Sequence, residues 1–177
     1  MIARTIEYCS RVIYDIVLEI KKVLGQMPGW LDKAAAHATA KKFDVNTLLQ
    51  ARLAPDQFPL LRQIQATCDQ AKYAVSRTTG KEAPSHPDTE QTVDEVKTRI
   101  ATVIAYLDTY KKEDFAEIAS RTVTTPRWEG KSMTATDYLV QHVVPNFFFH
   151  SSTAYAILRH NGVDVGKRDY LGQLSFR

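Results

Sequence analysis

The chain has 177 residues, 44% of them apolar and 24% charged, which suits one domain with a sizeable core and is too short for two comfortable ones. Its 23 basic residues against 20 acidic ones leave a net charge of +3. The lysine doublets at 21–22, 41–42 and 111–112 are scattered and form no stripe, which argues against nucleic acid as a partner.

The apolar runs, such as Phe147-Phe148-Phe149, fall far short of the roughly 18 residues a membrane span needs. Near the N-terminus, Glu7, Arg11, Asp15 and Glu19 would interrupt the apolar centre of a secretory signal. Cys9 and Cys68 stand alone without metal-type spacing, so a reducing cytoplasm is the expected compartment.

With only 7 Gly and 7 Pro, and apolar residues recurring at helical spacing, the chain reads as all-α. The first helical segment runs from about Ile13 to Lys42, with Met27-Pro28-Gly29 as a kink or break. Residues 1–12 either extend this helix or pack as a separate arm. A second helix spans Phe58 to Ser76, where Leu61, Ile64, Cys68, Ala71 and Val75 form one stripe, and Gly80 stops it.

A Pro-rich polar loop leads to Thr92-Val93-Asp94-Glu95, a capping box that starts the third helix. Its stripe runs from Val93 to Tyr110, and Lys111-Lys112 are expected at its C-terminus, where positive charge is favoured. Thr122 to Thr134 is β-favouring material around Glu129-Gly130-Lys131, which predicts a short hairpin or extended crossover. Thr134 to Asp137 then caps a last helix ending near Asn161-Gly162. These segments predict a four-helix bundle with at least one bridging connection.

The last helix carries the unusual chemistry. His142, Asn146 and His150 are spaced by four, each step rising about 6 Å and turning about 40° past a full circle. The stripe Leu139, Val143, Asn146, His150, Ala154 and Ile157 places Asn146 and His150 at core-facing positions, where they need hydrogen-bond partners, a water or an ion. His150 is a candidate metal ligand or a neutral core histidine bonded to Asn146, Gln63 or a tyrosine. Pro145 removes an amide hydrogen beside this pair and predicts a kink. Phe147, Phe148 and Phe149 point in three directions, so one is left for another element or another subunit.

The run Pro145-Asn146-Phe147-Phe148-Phe149-His150, continued by Thr153 to Val163 and Gly166 to Gly172, resembles the signature of an uncharacterised branch of the DinB/YfiT-like superfamily. Ala51 to Leu60, Gln63 and Cys68 to Lys72 resemble the same branch. The resemblance implies a DinB-like four-helix bundle, often a homodimer, whose better-known relatives are metalloenzymes, some of them thiol-dependent transferases. Such relatives present one histidine from the second helix and two, four residues apart, from the last. By that pattern His150 matches the last ligand, Asn146 replaces its partner and Gln63 replaces the histidine of the second helix.

Two readings follow. In the first, Gln63, Asn146 and His150, with Asp69, Tyr155 and Arg159 as neighbours, form a degenerate metal-site pocket for a small ligand or a weakly held divalent metal such as zinc or nickel, with His150 as the metal ligand. In the second, the chain is a noncatalytic structural or interaction dimer and the polar trio is a core hydrogen-bond network. No Ser–His–Asp order, phosphate-cradling glycine loop or HExxH pair is present.

Overall fold

Pro28 divides the first apolar segment into two helices, α1 (Ile2–Leu24) and α2 (Met27–Lys41). It lies in the first turn of α2, where its missing N–H removes no helical hydrogen bond. The computed structural model describes residues 2–176, and side chains from residue 10 onward. Residues 2–12 continue α1 and form no separate arm. Cys9 and the apolar side chains of Ile2 and Ile6 lie outside the described side chains.

The next two long helices are α3 (Leu60–Thr79) and α4 (Val93–Leu107). Gly80 closes α3 at φ +75°, a left-handed cap suited to glycine. At the start of α4 the expected capping box forms: Glu95 N–H donates to the Thr92 hydroxyl at 3.3 Å, and the Thr92 N–H donates to the Glu95 carboxylate at 2.9 Å.

Lys111 and Lys112 are not in the last turn of α4, contrary to the sequence pattern. That helix ends at Leu107, and Lys111 precedes a short 3-10 turn (Lys112–Phe115) that buries Phe115. Tyr110 is buried as the stripe predicts, but from the turn beyond the helix.

The predicted hairpin is present as β1 (Thr122–Val123) antiparallel to β2 (Met133–Thr134), in register Thr122 to Thr134 and Val123 to Met133. Glu129 and Gly130, both at positive φ, reverse the chain between them. Thr134 then caps a one-turn helix, α5 (Ala135–Asp137), by accepting the Asp137 N–H at 3.0 Å. A π-helical turn (Tyr138–Val143) and the long α6 (Val144–His160) follow, and a short α7 (Lys167–Leu171) ends the fold.

The architecture is a four-helix bundle in which α1 and α2 share one position and α3, α4 and α6 fill the others. Helix α3 is central, packing along α6, α4 and α1. The core is one continuous cluster drawn from all of these helices and, outside them, from Leu48, Phe115 and Val123. Among the described residues, no helix is long and apolar enough to cross a membrane.

Thr92→Ala removes an acceptor for a helix N–H and is expected to lower the unfolding free energy by about 1 kcal/mol in urea titrations, with Thr92→Ser close to wild type.

Candidate functional site

The π-helical turn delivers the last helix to the site. The Val144 N–H reaches back five residues to the Leu139 carbonyl, and Pro145, which has no N–H, follows at once. The side chain of Asn146 donates to the His142 carbonyl at 2.6 Å, supplying a hydrogen bond where the proline has interrupted the backbone pattern.

Asn146 and His150 are half-buried at the edge of the bundle and do not lie in the core stripe. The buried positions from Leu139 to the end of α6 are Leu139, Val143, Phe147, Ser151, Thr153, Ala154, Ile157 and Leu158. Phe147 lies about 40° from Val143 around the helix and Asn146 about 60°, so the larger apolar side chain is the nearer one and is buried instead. Phe148 is half-buried and Phe149, at 56% exposed, faces outward.

His150 is held from the neighbouring helix. Gln63, buried in the first turn of α3, donates its amide N–H to the Phe58 carbonyl at 3.1 Å, while its amide oxygen lies 2.8 Å from Nδ1 of His150. A carbonyl only accepts, so the Gln63 amide has one allowed orientation, and its oxygen requires a proton on His150 Nδ1. In the neutral ring, Nε2 is then a bare acceptor. The Phe58 ring also stacks on the imidazole, with centroids 6.5 Å apart and planes inclined by 16°.

His142 has the opposite arrangement. Asn146 Nδ2 donates to His142 Nδ1 at 2.9 Å, so the proton of the neutral His142 ring is on Nε2. Burial, followed by the Arg62 charge, pushes the His150 pKa below that of an ordinary histidine; burial and then Arg77 do the same for His142. Both rings are neutral at pH 7, one a hydrogen-bond acceptor and the other a donor.

Both line an open cleft of about 520 Å³ between α3, α6 and the loop that joins the hairpin strands. From α3 come Arg62, Asp69, Gln70, Tyr73 and Arg77; the loop adds Pro126, Arg127 and Trp128. Trp128 packs against Tyr138 and His142, with centroids 5.9 and 5.7 Å apart.

Gln63 holds His150 from behind, Asn146 and His150 line the cleft, and Asp69 lies on its wall. Asp69 is already engaged by Arg99 at 3.1 Å and Lys72 at 3.2 Å. Arg99, its side chain only 3% exposed, also pairs with Asp88 at 3.1 Å and Glu90 at 3.0 Å and so fastens the Pro-rich loop to α3 and α4. Beside it, burial pushes the Cys68 thiol up to about 12, which keeps it protonated.

Tyr155 and Arg159 are not part of this constellation. Tyr155 packs edge-on against the stacked rings of Trp30 and Tyr170 and donates to the Val165 carbonyl, and Arg159 is exposed, pairing with Asp164 at 3.4 Å. Five and nine residues beyond His150 correspond to turns of about 140° and 180°, which carry both away from its face. Sequence reasoning in turn missed Arg77, Trp128 and the role of His142. The only available signal was that His142 and His150 flank Asn146 at steps of four.

A family model described as "Domain of unknown function (DUF1993)" matches residues 13–171. The chain belongs to this family. A crystal structure of a DinB family member protein from Shewanella denitrificans superposes on it with a TM-score of 0.93 and 45% sequence identity, over 97% of this chain and 98% of that one. The DUF1993 chain is thus DinB-like in fold and family. No curated protein matches it.

The divalent metal implied by the DinB resemblance does not fit the residues of this DUF1993 protein. His150 contributes one free nitrogen, the oxygen of Gln63 is taken up by the His150 N–H, and Asn146 directs its amide N–H groups at His142. The arginines along the wall repel a cation. Among the described residues, no three His, Cys, Asp or Glu side chains converge as a metal site.

Because the folded pKa values of His142 and His150 lie below the unfolded value of 6.5, the unfolded chain takes up protons first on acidification. Their contribution to stability is complete above about pH 6.5 and is lost as the pH falls below it. Urea titrations are expected to show a smaller stability difference between about pH 7 and pH 5 for His150→Gln than for wild type.

Proposed function

We propose that this protein binds a small organic molecule in the cleft beside His150, at the place where the DinB resemblance implies a metal. The supporting observation is that Gln63 fixes His150 as a neutral ring whose Nε2 lone pair has no partner among the described residues, on the wall of an open cleft. Its volume of about 520 Å³ lies in the range of small-molecule sites. The imidazole accepts a hydrogen bond or a proton from the bound molecule, while His142 in the π-helical turn and Asn146 in the first turn of α6 orient it.

The openness of the cleft favours this reading over a sealed hydrogen-bond network that serves packing alone. In a sealed network His150 would have both nitrogens satisfied, whereas here only Nδ1 is engaged.

A thermal-shift screen of small molecules and of divalent metal salts against untagged protein tests the proposal. At least one organic compound is expected to raise the Tm of the wild type, with His150→Ala weakening its affinity about tenfold, the loss of about one hydrogen bond. Stabilisation by zinc or nickel salts alone, or a ligand bound equally by His150→Ala, would contradict it.

A further inference from the structure

The charges along the cleft specify the ligand further, if the cleft is a ligand site as proposed above. Three arginines line it, against the single carboxylate of Asp69. Asp69 is consumed by Arg99 and Lys72, and Arg62 is paired with Asp88. Arg77 differs from the paired Arg62 and from Arg127, which is exposed. Arg77 is half-buried, its Nη1 donates to the Tyr138 hydroxyl at 3.1 Å, and its guanidinium lies 3.9 Å from the centroid of the Tyr73 ring. Among the described residues no carboxylate pairs with it.

A guanidinium drawn partly out of water and held in place by a ring and a hydroxyl, with no counter-charge, is an anion site with donors to spare. The neighbouring histidines are neutral, and His142 adds an N–H donor. Phe58, Tyr73, Pro126 and Trp128 supply apolar surface around these groups. Finally, the buried side-chain oxygen of Gln70 has no hydrogen-bond donor.

We infer that the cleft takes a small carboxylate with an apolar, ring-sized body, its acid group held by Arg77 and its body lodged against Trp128 and Tyr73, which share the Arg77 end of the cleft. Arg77 binds the oxygens through the planar fork of its guanidinium, a geometry that a lysine would not reproduce. An N–H or O–H on the ring would serve the unsatisfied Gln70 oxygen. The apolar wall makes the body of the molecule, as well as its charge, contribute to binding.

The test is calorimetric titration of the wild-type protein with benzoate, with benzyl alcohol as its uncharged counterpart and with inorganic phosphate as an anion lacking the body. Benzoate is expected to bind at least about tenfold tighter than either, and to weaken as salt is added. Arg77→Gln is expected to reduce benzoate to the level of benzyl alcohol and leave benzyl alcohol unchanged, with circular dichroism confirming the fold.

Should Arg77→Gln fail to fold, the wild-type ratio of benzoate to benzyl alcohol decides. If benzyl alcohol binds as well as benzoate and His150→Ala weakens it, the carboxylate inference falls and the ligand-site reading survives. Phosphate binding as tightly as benzoate removes the apolar body. If none of the three binds at millimolar concentration, the carboxylate inference is overturned, and the thermal-shift screen decides the ligand-site reading separately.

Discussion

A single buried amide positions the chemistry of this bundle. Gln63 spans from the Phe58 carbonyl, just before α3, to His150 on α6, and its two ends can be satisfied in only one orientation. The hydrogen bond joins residues 87 apart in sequence across the most extensive helix pair of the fold. Leaving either end unpaired would cost about 1–3 kcal/mol, so the amide locks both the placement of α6 and the proton on His150. Helix α3 thereby supplies a support for one imidazole on the wall of the cleft.

The α6 side of the cleft depends on the broken helix. The π-helical turn and Pro145 leave a stretch where Asn146 folds its side chain back on the preceding turn, engaging both the carbonyl and the ring of His142. Two amides thereby impose opposite tautomers on two histidines of one helix. Neither ring carries a full charge at neutral pH, so the electrostatic character of the cleft is left to the arginines. Arg99, by neutralising Asp69 from behind, keeps that character positive. Structural and ligand-facing roles are therefore divided among residues that the sequence presents simply as charged.

Much of the fold was legible because short-range chemistry determines it. The Thr92–Glu95 box, the Thr134 cap, the Gly80 stop and the Glu129-Gly130 reversal each depend on residues within a few positions of one another. The end of α4 was not, because Tyr110 remains buried after the helix has stopped and so prolongs the apparent stripe towards Lys111. Similarly, a period-based stripe assigned Asn146 and His150 to the core, although Phe147 competes for the same face and gains more by burial. Gln63 was found through resemblance to a family pattern, since a glutamine in a helix carries no signal of its own. Arg77 and Trp128 come together only through the long-range closure of the hairpin loop over α3, which no local pattern encodes.

The most direct test of the account is the protonation of the two imidazoles, read by long-range nitrogen–proton NMR correlations on the labelled protein near neutral pH. His150 is expected to carry its proton on Nδ1 with a bare Nε2, and His142 to show the reverse. A His150 ring protonated on Nε2, or one charged on both nitrogens at that pH, would contradict the Gln63 support and with it the acceptor on which the site is built.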